Sequence, residues 1–142
     1  MIQINPREIA AEALMEIMTE EAYNNMTLRR LLRQNGAMSR QDRAFVTEVV
    51  NGTLRNLIYI DHVLNTFSKT KTEKMKPWLL AVMRSAVYQM YFMAVPDSAA
   101  CNEAVKLAGV RGYASLKGFV NGVLRTAAKQ KNEIPMPEHV IL

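Results

Sequence analysis

The sequence predicts an all-α domain, a bundle of about six or seven helices. Apolar residues recur at three- and four-residue spacing through successive stretches, and nowhere does the period-two alternation of a half-buried strand persist. Between those stretches stand the residues that start and stop helices: capping side chains, first-turn prolines and terminal glycines. The chain has 142 residues, 49% of them hydrophobic. That is enough for one domain with a real core and too few for two comfortable ones.

Asn5, Pro6 and Glu8 form an N-cap, a first-turn proline and a capping-box glutamate, and Ile9, Ala10, Ala13, Leu14, Ile17 and Met18 then make an apolar stripe. The first helix should run from about Pro6 to Glu20. Thr27 can cap a short helix carrying Leu28, Leu31 and Leu32, with Gly36 ending it in a left-handed C-cap. Ser39 followed by Asp42 opens the next helix, whose apolar positions Val46, Val49, Val50, Thr53, Leu57, Ile60, Leu64 and Phe67 reach the lysine-rich SKTKTEKMK. This is one long helix, or two with a bend. Pro77 begins a helix apolar nearly all round, through Trp78, Leu79, Val82, Ala86, Val87, Met90 and Phe92, which suits the centre of a bundle. Val95-Pro96 ends it, and Asp97 or Ser98 caps SAACNEAVKLAG. Gly109 and Gly112 break the chain before a last helix reaching about Lys131. The remainder, NEIPMPEHVIL, has two prolines and no periodicity. It reads as a linker or extended arm over 132–142, after a helical domain over 1–131.

The window Pro77 to Pro96 has roughly the length that spans a bilayer, but Arg84, Ser85 and Gln89 interrupt it, so a buried central helix is expected and no membrane partner. A single cysteine and an N-terminal MIQINPRE without a basic leader and apolar run suggest a cytoplasmic protein. Cys101, among small apolar residues and without a partner histidine, is expected to be inert and buried. His62 and His139 lack the context of a metal site, and no phosphate-cradling glycine loop is present. No residue here points to catalysis.

Charge is the stronger signal. The net charge is +5. Residues 1–27 hold one basic and five acidic side chains, residues 28–76 ten and four, and residues 77–142 seven and four. A polyanion, nucleic acid above all, suits such a chain. Arg40, Arg43, Thr47, Asn51, Arg55, Tyr59 and His62 succeed one another at three or four residues, a cationic ridge opposite much of the apolar face. Arginines in a first turn oppose the helix dipole, which suggests that something else retains Arg40 and Arg43. A solvated face is the plain alternative. Arg29, Arg30 and Arg33 lie upstream of the ridge, and Lys69, Lys71, Lys74 and Lys76 downstream.

In KGFVNGVLR, Phe119, Val120, Val123 and Leu124 share one side, while Gly118, Asn121, Gly122 and Arg125 share the other, extended by Lys129. Each glycine costs a helix about 1 kcal/mol relative to alanine. We expect close helix packing on that face, with Asn121 hydrogen-bonded within the bundle; the alternative is a smooth basic groove for a phosphate backbone.

Asp42-Arg43, Phe45, Gly52, Leu54-Arg55 and Asp61, then Pro77, Arg84 and Tyr88-Gln89, then Ala99, Asn102-Glu103-Ala104-Val105 and Leu107-Ala108, then Lys117 to Arg125, together resemble the NusB/RsmB family over nearly the whole chain. The resemblance implies a NusB-like helical bundle and two competing functions. One is the N-terminal RNA-binding domain of an RsmB-type (Sun) enzyme, which methylates C5 of a cytosine in 16S ribosomal RNA using S-adenosylmethionine. The other is a free-standing NusB-type antitermination factor, binding boxA RNA with a ribosomal protein. VNGVLR where antiterminators more often resemble VNGVLD, the stretch GTLRNLIYID, an acidic first helix and the linker-like tail favour the enzyme domain. The cofactor loop and nucleophilic cysteines of such enzymes lie in a C-terminal domain, and no residue here matches them, so the cofactor and catalytic residues are expected outside this chain. Gly109 and Ser85-Ala86 depart from the commonest family pattern. The RNA-binding candidates are Arg40, Arg43, Asn51, Arg55, Arg125 and Lys129, with ribosomal RNA and the enzyme's own catalytic domain as partners. A plain protein-interaction bundle is the third possibility.

Overall fold

A helix enclosed by its neighbours organises the fold. The computed structural model describes residues 5–20 and 24–134. Along them run α1 (Pro6–Glu20), α2 (Asn24–Gln34), α3 (Arg40–Arg55), α4 (Leu57–Phe67), α5 (Pro77–Phe92), α6 (Asp97–Val110) and α7 (Lys117–Lys129), with short 3-10 turns at Thr72–Lys74, Ala114–Leu116 and Lys131–Glu133. No strand occurs among the described residues. The expected all-α class is therefore observed. Helices α1, α2 and α3 pack on one another, α4, α6 and α7 gather on another side, and α5 touches members of both groups. Residues 81–90 are all buried, which explains why this helix could be written almost entirely in apolar and small residues.

The polar groups that α5 carries into the core are each paired. Arg84 makes a two-pronged pair with Asp61 of α4, Nε and Nη2 each 2.8 Å from a carboxylate oxygen. Trp78 donates its indole N–H to the Leu107 carbonyl at 2.8 Å, and the Arg111 guanidinium lies 4.2 Å above the same ring. Gln89 donates to Ser85 and accepts from Arg7 Nε at 2.9 Å, while Arg7 also lies over the Phe45 ring. Buried polar groups without partners would cost about 1–3 kcal/mol each, so these pairings allow α5 to be central.

Ser39 caps α3 as expected, accepting the Asp42 backbone N–H at 3.0 Å. The stretch that follows takes the second of its two expected forms, two helices with a bend, because Asn56 adopts φ −112°, ψ 22° and turns its side-chain amide to the Gly52 carbonyl, competing with the helical ladder. Several other boundaries differ. Thr27 is buried within α2 and does not begin it. Gly36 takes no left-handed conformation; the last carbonyls of α2 are met instead by the Asn35 amide at Leu31 and by Arg43 Nη1 at Leu32. Pro96 occupies the cap position of α6, and Asp97 is already helical, its carboxylate held by Lys131 Nζ at 2.9 Å. Gly109 lies inside α6, so only Gly112, with φ 89°, breaks the chain. Helix α7 ends at Lys129, and the following turn places Ile134 against the core. Most of the expected arm, with His139, lies outside the described residues.

Candidate nucleic-acid interface

Five of the seven ridge residues come together. Arg40, Arg43, Thr47, Asn51 and Arg55 line one shallow concavity of about 450 Å3 along α3. The other two do not join it. Beyond the break at Asn56, Tyr59 turns toward Tyr91 and Phe92, and His62 lies beside Tyr59, with ring centroids 6.5 Å apart.

Each arginine of the ridge stands differently. Arg40 is exposed at the start of α3 and has no partner among the described residues. Arg43 is half-buried and donates to the Leu32 carbonyl at 3.1 Å, placing its charge at the carboxyl end of α2. That answers why an arginine persists in the first turn of α3: the dipole of α2 favours it there. Arg55 is exposed and lies 3.6 Å from Glu48. Glu48, which a reading for basic spacing passes over, also accepts the Tyr88 hydroxyl and brings a negative charge to the ridge. Burial first, and Glu48 second, push the Tyr88 phenol above its ordinary value. Upstream, Arg30 pairs with Glu16, whereas Arg29 and Arg33 are exposed. All four lysines of the loop after α4 are exposed.

The face of α7 overturns the packing expectation. A Cβ built at Gly118 or Gly122 would meet nothing within 4 Å. Asn121 is exposed, and instead of bonding within the bundle it accepts from Arg125 Nε at 3.1 Å. Arg125 also donates to Asn102 of α6 at 2.6 Å, and Lys129 is exposed one turn on. The result is a low, open surface with fixed polar edges. A glycine that does answer to packing is Gly52 on α3, where a Cβ would overlap the Tyr88 ring.

Cys101 is buried as expected, with Sγ 3.7 Å from Met90 Sδ, and burial raises its pKa. A thiol so enclosed does not fit the nucleophile of a methyl-transfer reaction. Among the described residues no three His, Cys, Asp or Glu side chains group as a metal site, and no helix is long and apolar enough to cross a membrane.

The sequence pattern of the NusB family matches residues 4–129. The chain is 40% identical over 131 residues to a probable ribosomal RNA small subunit methyltransferase B of Bacillus subtilis, covering 92% of this chain and 29% of that protein. It is 30% identical over 127 residues to a transcription antitermination protein NusB of Acetivibrio thermocellus, covering 88% of this chain and 87% of that one. Among solved structures, a crystal structure of the antitermination factors NusB and NusE in complex with dsRNA superposes with a TM-score of 0.80 at 15% identity, covering 87% of this chain and 93% of that one.

Proposed function

The chain belongs to the NusB family, and from that premise we propose that it is the RNA-binding N-terminal domain of an S-adenosylmethionine-dependent 16S ribosomal RNA cytosine-C5 methyltransferase, docking the catalytic domain on its RNA. The observation that carries this proposal is the match of nearly the whole chain to 29% of the Bacillus subtilis methyltransferase B, at higher identity than to the Acetivibrio thermocellus NusB. S-adenosylmethionine would supply the methyl group in the catalytic domain. The part of this chain is to bind and orient. Phosphates would lie along Arg40, Arg43 and Arg55, with Asn51 and the α7 face of Arg125 and Lys129 completing the surface. A protein of this kind works in the cytoplasm.

A second proposal, a free-standing antitermination factor binding boxA RNA with a ribosomal protein, is favoured by the near-complete coverage of the Acetivibrio thermocellus NusB. One set of titrations separates them. The chain is titrated with a small-subunit ribosomal RNA fragment and with a boxA RNA, each with and without the ribosomal protein and over a range of salt. Preference for the ribosomal fragment, indifferent to added protein, supports the enzyme domain; protein-dependent boxA binding supports the antiterminator. Because Arg43 also fastens α2, the ridge is tested by Arg40→Gln with Arg55→Gln. Affinity should fall, and the slope of log K against log salt should flatten by about 0.7 for each phosphate of a single strand that is no longer neutralised. An unchanged slope in the folded variant would reduce the ridge to a solvated face.

A further inference from the structure

Where the end of α5 meets the segment after α7, an open pocket of about 450 Å3 is walled by Tyr59, Tyr91 and Phe92 and edged by Asn56, Lys131 and Asn132. We infer that this pocket takes an unstacked nucleobase of the bound RNA, an inference that rests on the RNA-binding role proposed above. Its size falls in the range of small-ligand sites, and its lining pairs ring faces with a few polar edges, which is the chemistry of a base.

The rings are arranged to extend a stack. Phe92 lies parallel to Tyr88 with centroids 5.3 Å apart and an interplanar angle of 17°, yet it is 46% exposed at the end of a helix whose residues 81–90 are all buried. Tyr59 braces it edge-on at 6.1 Å, and Tyr91 stands 6.2 Å from Tyr59. A large apolar ring held so firmly and left open to water is a platform for another flat group. The polar edges complement a heterocycle better than an aliphatic side chain. The Tyr59 hydroxyl and the Asn132 amide have no partner among the described residues, and the Asn56 side chain, which gives one N–H to the Gly52 carbonyl, keeps its amide oxygen for a ligand. Lys131 serves differently: its ammonium is spent on Asp97 at 2.9 Å and the Met90 carbonyl at 3.3 Å, which fastens the wall of the pocket.

Continuity with the ridge names the ligand. Arg55 lines the arginine concavity, and Asn56, the next residue in the chain, edges the pocket. A strand whose phosphates follow α3 would therefore reach the pocket at the end of the arginine row. The inference commits to single-stranded RNA, because a base within a duplex cannot enter.

The test uses the 142-residue chain, a single-stranded RNA of about ten nucleotides, a set of the same RNA with one abasic position moved along it, and the matching duplex. For the unaltered chain, one abasic position should lower affinity at least about fivefold, and the duplex should bind more weakly. Phe92→Ala should lower affinity for the intact strand at least about fivefold, lose the abasic sensitivity and keep the salt slope, since no charge is removed. Tyr59→Phe, which keeps the ring and the fold, should lose part of the discrimination among bases. RNA binding by the unaltered chain that is indifferent to abasic positions, to Phe92→Ala and to Tyr59→Phe would overturn the base pocket and leave the RNA-binding role standing. Absence of RNA binding by the unaltered chain would overturn both.

Discussion

Three glycines that look alike in the sequence do different things at the residue scale. Gly118 and Gly122 sit over open space, so Gly122→Leu should leave stability equal or raise it by up to about 1 kcal/mol through helix propensity. Urea unfolding of the variant beside an RNA titration measures both sides, and weaker binding at unchanged stability would mark the α7 face as an RNA-binding surface. Gly52 is the opposite case. The Cβ of Gly52→Ala would overlap the Tyr88 ring, forcing it from Glu48 and from Phe92. We expect a loss of about 1–3 kcal/mol, the usual range for overpacking, read as a lower urea midpoint at constant m-value. No periodicity distinguishes these positions, since a glycine's neighbours across space are set by another helix.

Between elements, the pair Asp61–Arg84 joins α4 to α5 at a place where Arg84 is only 8% exposed. Removing the carboxylate in Asp61→Ala would leave a buried guanidinium without its partner, at a cost of about 3 kcal/mol in urea unfolding. Replacing both, as Asp61→Leu with Arg84→Met, should recover much of that loss, because an apolar pair of similar volume avoids the desolvation of two charges. A double variant as unstable as the single one would show that the pair contributes more than mutual neutralisation. The break between α3 and α4 belongs to the same scale. Apolar spacing runs through Asn56 without interruption, and only the competition of its amide for the Gly52 carbonyl bends the chain and sends Tyr59 away from the ridge.

For the molecule as a whole, the phenols set an alkaline limit. Tyr91 donates its hydroxyl to the Ala127 carbonyl at 2.8 Å, and burial, assisted by Tyr59 and Asp97, pushes its pKa far above the usual tyrosine value. Tyr88 and Tyr59 shift in the same direction. A raised folded-state pKa means that the unfolded chain loses its proton first, so this stabilisation is complete below about pH 10 and declines above it. For Tyr91, whose shift is large, the decline approaches about 1.4 kcal/mol per pH unit. Urea unfolding from about pH 8 to about pH 11.5 should therefore show a steeper loss for the unaltered chain than for Tyr91→Phe, which starts out less stable but has one titration fewer. Parallel curves would remove Tyr91 from the limit.

By itself the sequence determined the all-α class, the starts of α1, α3 and α5, the burial of α5 and Cys101, and the likeness to the NusB family over most of the chain. These are local matters: a cap needs a partner three residues away, and an amphipathic stripe needs only its own period. It also placed Arg40, Arg43, Thr47, Asn51 and Arg55 on one face, since a single helix connects them. Tertiary structure alone decided which face of α7 is open, that Glu48 enters the arginine row, that Arg43 serves the end of α2, and that Phe92 emerges from a buried helix to form a platform. Each depends on what another element brings across a gap, and spacing along one helix holds no record of the neighbour that fills or leaves that space.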